Sequence, residues 1–211
     1  LIALYPASEA LTWRALQVAE DIDAMNDYES RRLYELLATQ CAVVDAGKIA
    51  AGKLKIQEAM GRPFDLALKA VQGRPVETRP LAGKVVMVMH FGAADTPVLQ
   101  AIEALHRRHQ AAGLEVICVA VDEDPVAVRE AVGALGITWP ICCDGLGWAS
   151  PMVAGLGVNR TPSMLLIDRR GVLRYSGMAT TPEALLRPWL EASADAETPR
   201  TNPRAASRPA R

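Results

Sequence analysis

Gly157-Val-Asn-Arg-Thr-Pro-Ser-Met-Leu-Leu-Ile-Asp-Arg-Arg-Gly171, followed by Val172-Leu-Arg-Tyr175, is the stretch on which the fold turns. Ser163 to Asp168 is apolar and extended, and Arg169-Arg170-Gly171 has turn composition. Val172 to Tyr175 returns as an antiparallel partner. A hairpin therefore lies late in the chain, introduced by Thr161-Pro162.

Upstream, Val85-Val-Met-Val-Met89 and Leu114-Glu-Val-Ile-Cys-Val-Ala-Val121 are apolar runs without alternation. That is expected of strands covered by helices on both faces. Between them, Pro97 to Ala112 predicts a helix with Leu99, Ile102, Leu105 and His109 on one side and Gly113 as terminator. Asp124-Pro125 opens another, Val126 to Leu135, with proline suited to the first helical position. A short strand follows at Trp139 to Cys143, then a helical stretch from Ser150 to Leu156, and Thr181-Pro182-Glu183 begins a last helix ending near Ala192. Phe64, Leu66 and Leu68 alternate ahead of a Gly73-Arg74 turn and a return strand at Val76. Strands alternating with helices, closed by a hairpin and a helix, predict an α/β sandwich with parallel and antiparallel strands.

The 211 residues divide by composition into a helical N-terminal extension (1–59), the α/β domain (60–193) and a disordered tail (194–211). In the extension Leu11, Ala15, Val18, Ile22 and Met25 recur at helical spacing. A second pattern runs from Tyr28 through Leu33, Leu36, Leu37, Cys41 and Val44 to Gly47, read as a stop, and a third spans Ile49 to Met60. The tail lacks large apolar side chains and cannot bury enough surface to fold alone. Half the residues are hydrophobic and the net charge is −1, so a packed core is expected and nothing calls for nucleic acid. No apolar run reaches the length of a membrane span. The first residue is Leu1 rather than methionine, which is compatible with a removed signal.

Four cysteines are present, Cys41, Cys118, Cys142 and Cys143, with no CxxC and no zinc-finger spacing, so no structural metal and no cofactor are expected. Cys41 falls on a helix face and Cys118 in an apolar run, where thiols act as small hydrophobes. Cys142-Cys143 leaves two readings open: packing residues, or a strained, reducible vicinal disulfide. His106 and His109 lie three apart on one helix with Arg107 and Arg108 between them; a cationic helix C-terminus is a simpler reading than a metal site.

Three segments resemble the redoxin branch of the thioredoxin superfamily, most of all the TlpA/ResA-type thiol–disulfide oxidoreductases. Leu81-Ala-Gly-Lys-Val-Val-Met-Val-Met-His-Phe91 is similar to the strand that leads into that family's active site, and Leu114 to Asp124 to its second central strand. Gly157 to Gly171 is similar to the family's "G-V-x-x-x-P-T-x-x-L-I-D-x-x-G". The resemblance implies a thioredoxin-like three-layer sandwich with a mixed sheet. It also implies a cis bond before Pro162 and a partner groove in which Thr161 offers backbone groups.

In the family the first strand ends in "W-C-x-x-C", with the first thiol at a helix N-terminus that favours thiolate. An ungapped alignment puts Asp95 and Val98 at the two cysteine positions and Ala94 at the tryptophan; Thr96 and Pro97 lie between. A carboxylate and an isopropyl group cannot perform thiol–disulfide exchange, and a peroxidatic cysteine is missing on the same ground. Asp95-Thr96-Pro97 retains helix-start chemistry, with Asp or Thr expected to accept the first free N–H groups. His90 and Asp95 flank this loop as a candidate polar pair. The expectation is a protein- or peptide-binding module at the Thr161-Pro162 groove that works outside the cytoplasm. The alternative is an oxidoreductase using Cys142 and Cys143 or a partner's cysteine. Oligomeric state is left open.

Overall fold

The computed structural model describes residues 2, 4–23, 27–92, 95–179 and 181–192. Met25 and the tail beyond 192 lie outside the described residues. The described residues form two compact units: those up to 58 with Trp148–Asn159, and 59–147 with 160–192.

The first unit holds α1 (Glu9–Asp23), α2 (Asp27–Gln40) and α3 (Asp45–Ala59). Its core contains Leu16, Ala19, Tyr34, Leu37, Cys41, Ile49 and Ala50. The face of α1 differs from the expected one: Thr12, Leu16 and Ala19 are buried, whereas Val18 is 39% exposed. This helix carries apolar residues on two adjacent stripes, so periodicity alone does not choose between them. Thr12 can occupy the interior because its hydroxyl donates to the carbonyls of Ser8 and Glu9, each at 3.0 Å. Gly47 lies within α3 instead of ending a helix. A β-carbon there would lie 2.0 Å from the Cys41 carbonyl oxygen, so the glycine permits a close backbone approach. The Glu20 carboxylate meets Lys53 Nζ at 2.7 Å and Asn159 Nδ2 at 2.7 Å within this unit.

The second unit contains a small hairpin, β1 (Ala67–Lys69) and β2 (Pro75–Glu77), with Leu68 opposite Val76. Its main sheet comprises β3 (Val85–Phe91), β4 (Leu114–Ala120), β5 (Ile141–Cys142), β6 (Ser163–Ile167) and β7 (Leu173–Met178), in the order β5-β4-β3-β6-β7. β3, β4 and β5 run parallel, and β6 and β7 are antiparallel additions. Every residue of β3 is buried, as its unbroken apolar run requires.

The helices are α4 (Thr96–His109), α5 (Pro125–Ala134) and α7 (Pro182–Glu191); α6 (Pro151–Gly155) clusters with the first unit. Met87, Met89 and Phe91 of β3 share one core with Leu99, Ile102 and Leu105 of α4, Val128 of α5 and Leu186 of α7. Asp124 caps α5 by accepting the N–H groups of Val126 and Ala127. The Arg169 guanidinium donates to the carbonyls of Gly83 (3.0 Å), Ala112 (2.7 Å) and Leu190 (3.2 Å), binding together the start of β3 and the ends of two helical segments. Among the described residues no helix is long and apolar enough to cross a membrane.

Candidate functional site

The carboxyl end of β3 brings the sequence-selected loop to its place. Phe91 closes the strand, and Gly92 and Asp95 turn the chain into α4, with Pro97 in the first helical turn. Ala93 and Ala94 lie outside the described residues. The Gly92 N–H donates to Asp95 Oδ2 at 2.8 Å, and the Asp95 N–H donates back to the Gly92 carbonyl at 2.9 Å. This reciprocal turn corrects the expected capping role: Asp95 bounds α4 but makes no side-chain cap, because its carboxylate is committed backward to Gly92. Pro97 still serves at the helix start, where its missing N–H costs nothing. Val98 is half-buried against the core that contains β3, so its isopropyl group packs. Thr96 is exposed.

Thr161, which precedes Pro162, approaches the same loop. The bond between them is cis, and the Ala179 N–H donates to the Pro162 carbonyl at 3.1 Å, fixing the loop to the end of β7. A β-carbon on Gly92 would lie 3.6 Å from Thr161 Oγ1, 3.9 Å from Asp95 Oδ2 and 4.0 Å from the Val121 carbonyl oxygen. Gly92 and Val121 thus join the constellation although the motif comparison did not single them out. The signal for Gly92 was its position, a glycine directly after a strand that is apolar but for His90.

His90 and Asp95 are directed differently. His90 is buried in β3 opposite Ser163, and its Nδ1 is hydrogen-bonded to Ser163 Oγ at 3.2 Å. His106 stacks on Trp139 with ring centroids 6.1 Å apart, and His109 Nε2 lies 3.9 Å from Glu183. Among the described residues no three His, Cys, Asp or Glu side chains are grouped to hold a metal ion.

All four cysteines are buried free thiols. Cys142 of β5 pairs in register with Val119 of β4, while Cys143, just past the end of β5, belongs to the core that contains β3 and α4; successive residues of an extended chain point to opposite sides. Burial pushes the Cys142 thiol up to about 12, with the neighbouring Cys143 adding to the effect. Cys118 and Cys41 are pushed up by desolvation. Cys143 is also raised, first by desolvation, and its thiol donates to the Asp122 carbonyl at 3.4 Å.

A mixed five-stranded sheet with a helix springing from the central strand, faced by a cis-proline loop, defines a thioredoxin-like α/β protein. The chain belongs to the Redoxin family, whose model matches residues 55–193. Among relatives, the thiol-disulfide oxidoreductase ResA of Bacillus thuringiensis (strain Al Hakam) is 26% identical over 124 residues, 57% of this chain and 69% of the relative. ResA of Halalkalibacterium halodurans is 27% identical over 131 residues, 60% of this chain and 72% of the relative. A thioredoxin-like protein from Bacteroides vulgatus superposes with a TM-score of 0.53 at 22% identity, covering 61% of this chain and 86% of that one. That likeness speaks for the fold.

Proposed function

We propose that this redoxin does not catalyse thiol–disulfide exchange and that it binds an extended protein or peptide segment beside Thr161-Pro162. The observation that carries the reading is Asp95. At the position where the resembling oxidoreductases place a nucleophilic thiol, a carboxylate accepts the Gly92 N–H and holds the turn shut. A carboxylate cannot form the mixed disulfide on which exchange depends.

The remaining cysteines do not replace it. A thiol near 12 is ionised to only about one part in 10⁵ at neutral pH, and the thiolate is the reactive form. Binding needs no thiol, since an extended segment can dock by main-chain hydrogen bonds beside a sheet end. An extracytoplasmic setting follows from the resemblance to the TlpA/ResA type.

Alkylation of the native full chain at neutral pH, read by mass spectrometry, tests the reading. Unmodified Cys142 and Cys143 are expected, with modification only after unfolding. Rapid labelling of either in the native state would supply a reactive thiol and sink the non-catalytic assignment. A pull-down comparing wild type with Thr161→Trp tests the groove, and equal capture by both would remove it.

A further inference from the structure

The helical extension grips the chain just before it enters the Thr161-Pro162 loop. Within the first unit, α3 and the residues after α6 meet at backbone distance. A β-carbon on Gly52 would lie 2.0 Å from the Ala154 carbonyl oxygen and 2.6 Å from the Gly157 nitrogen, and one on Gly157 would lie 2.7 Å from the Lys53 nitrogen. Ala154 shares its core with Leu16, Ala19 and Ile49. Beyond that contact, the Glu20 side chain is 5% exposed; its carboxylate lies 2.7 Å from Lys53 Nζ and accepts from Asn159 Nδ2 at 2.7 Å. A carboxylate taken out of water is stable where a cation and N–H donors replace its hydration, so α1 and position 159 are tied by a charge-assisted bond. Downstream, the loop is fixed a second time: the Ala179 N–H donates to the Pro162 carbonyl at 3.1 Å, and Ser163 Oγ is hydrogen-bonded to His90 Nδ1. Arg160 is the single residue between Asn159 and Thr161. One residue has only two soft dihedrals, so a restraint on Asn159 carries to Thr161.

We propose that the helical extension positions the Thr161-Pro162 loop, with Glu20 and Asn159 as the positioning residues. Releasing Asn159 leaves Thr161 held from its downstream side alone, and the missing order must then be supplied when a segment docks, which weakens binding. This role rests on the binding-module reading and gives that groove a pre-organising element in α1.

Amide hydrogen exchange of the full chain, resolved by residue with NMR, tests it. The probe is the Ala179 amide, because its acceptor is the Pro162 carbonyl. Asn159→Ala removes the donor to Glu20 and should speed exchange at Ala179 about tenfold, the effect of losing one hydrogen bond to a charged group. Leu165 in the middle of β6 and Ile117 in β4 should keep their wild-type rates. Glu20→Ala should act like Asn159→Ala, whereas Glu20→Gln, whose amide oxygen can still accept from Asn159, should restore most of the protection. Asn159 is partly exposed, so Asn159→Ala is expected to keep the wild-type circular dichroism even where Glu20→Ala folds poorly. Equal acceleration at Ala179, Leu165 and Ile117 would show a general loss of stability and overturn the proposal. Exchange that rises in α1 and α3 but not at Ala179 would also overturn it, since the tie would then serve the first unit alone. The measurement needs no partner, so its failure is distinct from that of the groove, which the pull-down with Thr161→Trp tests.

Discussion

Asp95 does two things that a cysteine in its place would not. Its carboxylate accepts the Gly92 N–H at 2.8 Å, and it leaves no sulfur at this position for a mixed disulfide. Asp95→Ala removes the acceptor and is predicted to cost about 1–2 kcal/mol in urea unfolding. Asp95→Asn keeps an oxygen there and should cost less. Buried thiols give a second prediction. Because Cys142 ionises near 12 in the fold but near 9 when exposed, the unfolded chain loses its proton first. Stability is therefore fully present below about pH 9 and falls as pH rises toward 12, by about 1.4 kcal/mol per pH unit for this thiol. Denaturation followed from pH 8 to 11 should show that decline, and Cys142→Ala should make it shallower without abolishing it, because the Cys41, Cys118 and Cys143 thiols are raised as well. The helix start at Asp95-Thr96-Pro97 was legible in the sequence, but the direction of the carboxylate was not. Residue type announces a capping oxygen, whereas the backbone turn from Gly92 decides which N–H it meets.

Among the elements, β3 and β4 were the most legible, because a run such as Val85-Val-Met-Val-Met89 is stable only with both faces covered. The hairpin of β6 and β7 was equally plain: the Asp168 carboxylate accepts the N–H groups of Arg170 and Val172 and meets Arg174 at 2.7 Å, using the turn residues themselves. The helices of the first unit were less legible. Glycine in α3 reads as a terminator in one dimension and serves as a contact point in three. At Gly52 a β-carbon would lie 2.0 Å from the Ala154 carbonyl oxygen, inside the same unit. Gly52→Ala is therefore predicted to destabilise by about 2–4 kcal/mol, through forced backbone separation. Gly133→Ala in α5 meets nothing within 4 Å and should instead stabilise by about 0.5–1 kcal/mol. Thermal unfolding of the two variants should shift in opposite directions.

For the molecule as a whole, the redoxin scaffold is complete where the thioredoxin-like chemistry would be placed. β3 delivers the chain to α4, and Thr161, at the cis bond to Pro162, faces the turn. What differs is the pair of side chains at 95 and 98. Positions three apart at a helix start have side chains about 5–6 Å apart at the β-carbon, near enough for a disulfide after small adjustment. The scaffold should therefore accept Asp95→Cys with Val98→Cys and recover exchange. Insulin reduction with dithiothreitol, run on wild type beside this double variant, tests the account most directly. Wild type is predicted to stay at the dithiothreitol background while the double variant exceeds it; wild-type turnover that disappears with Cys142→Ala and Cys143→Ala would contradict the account.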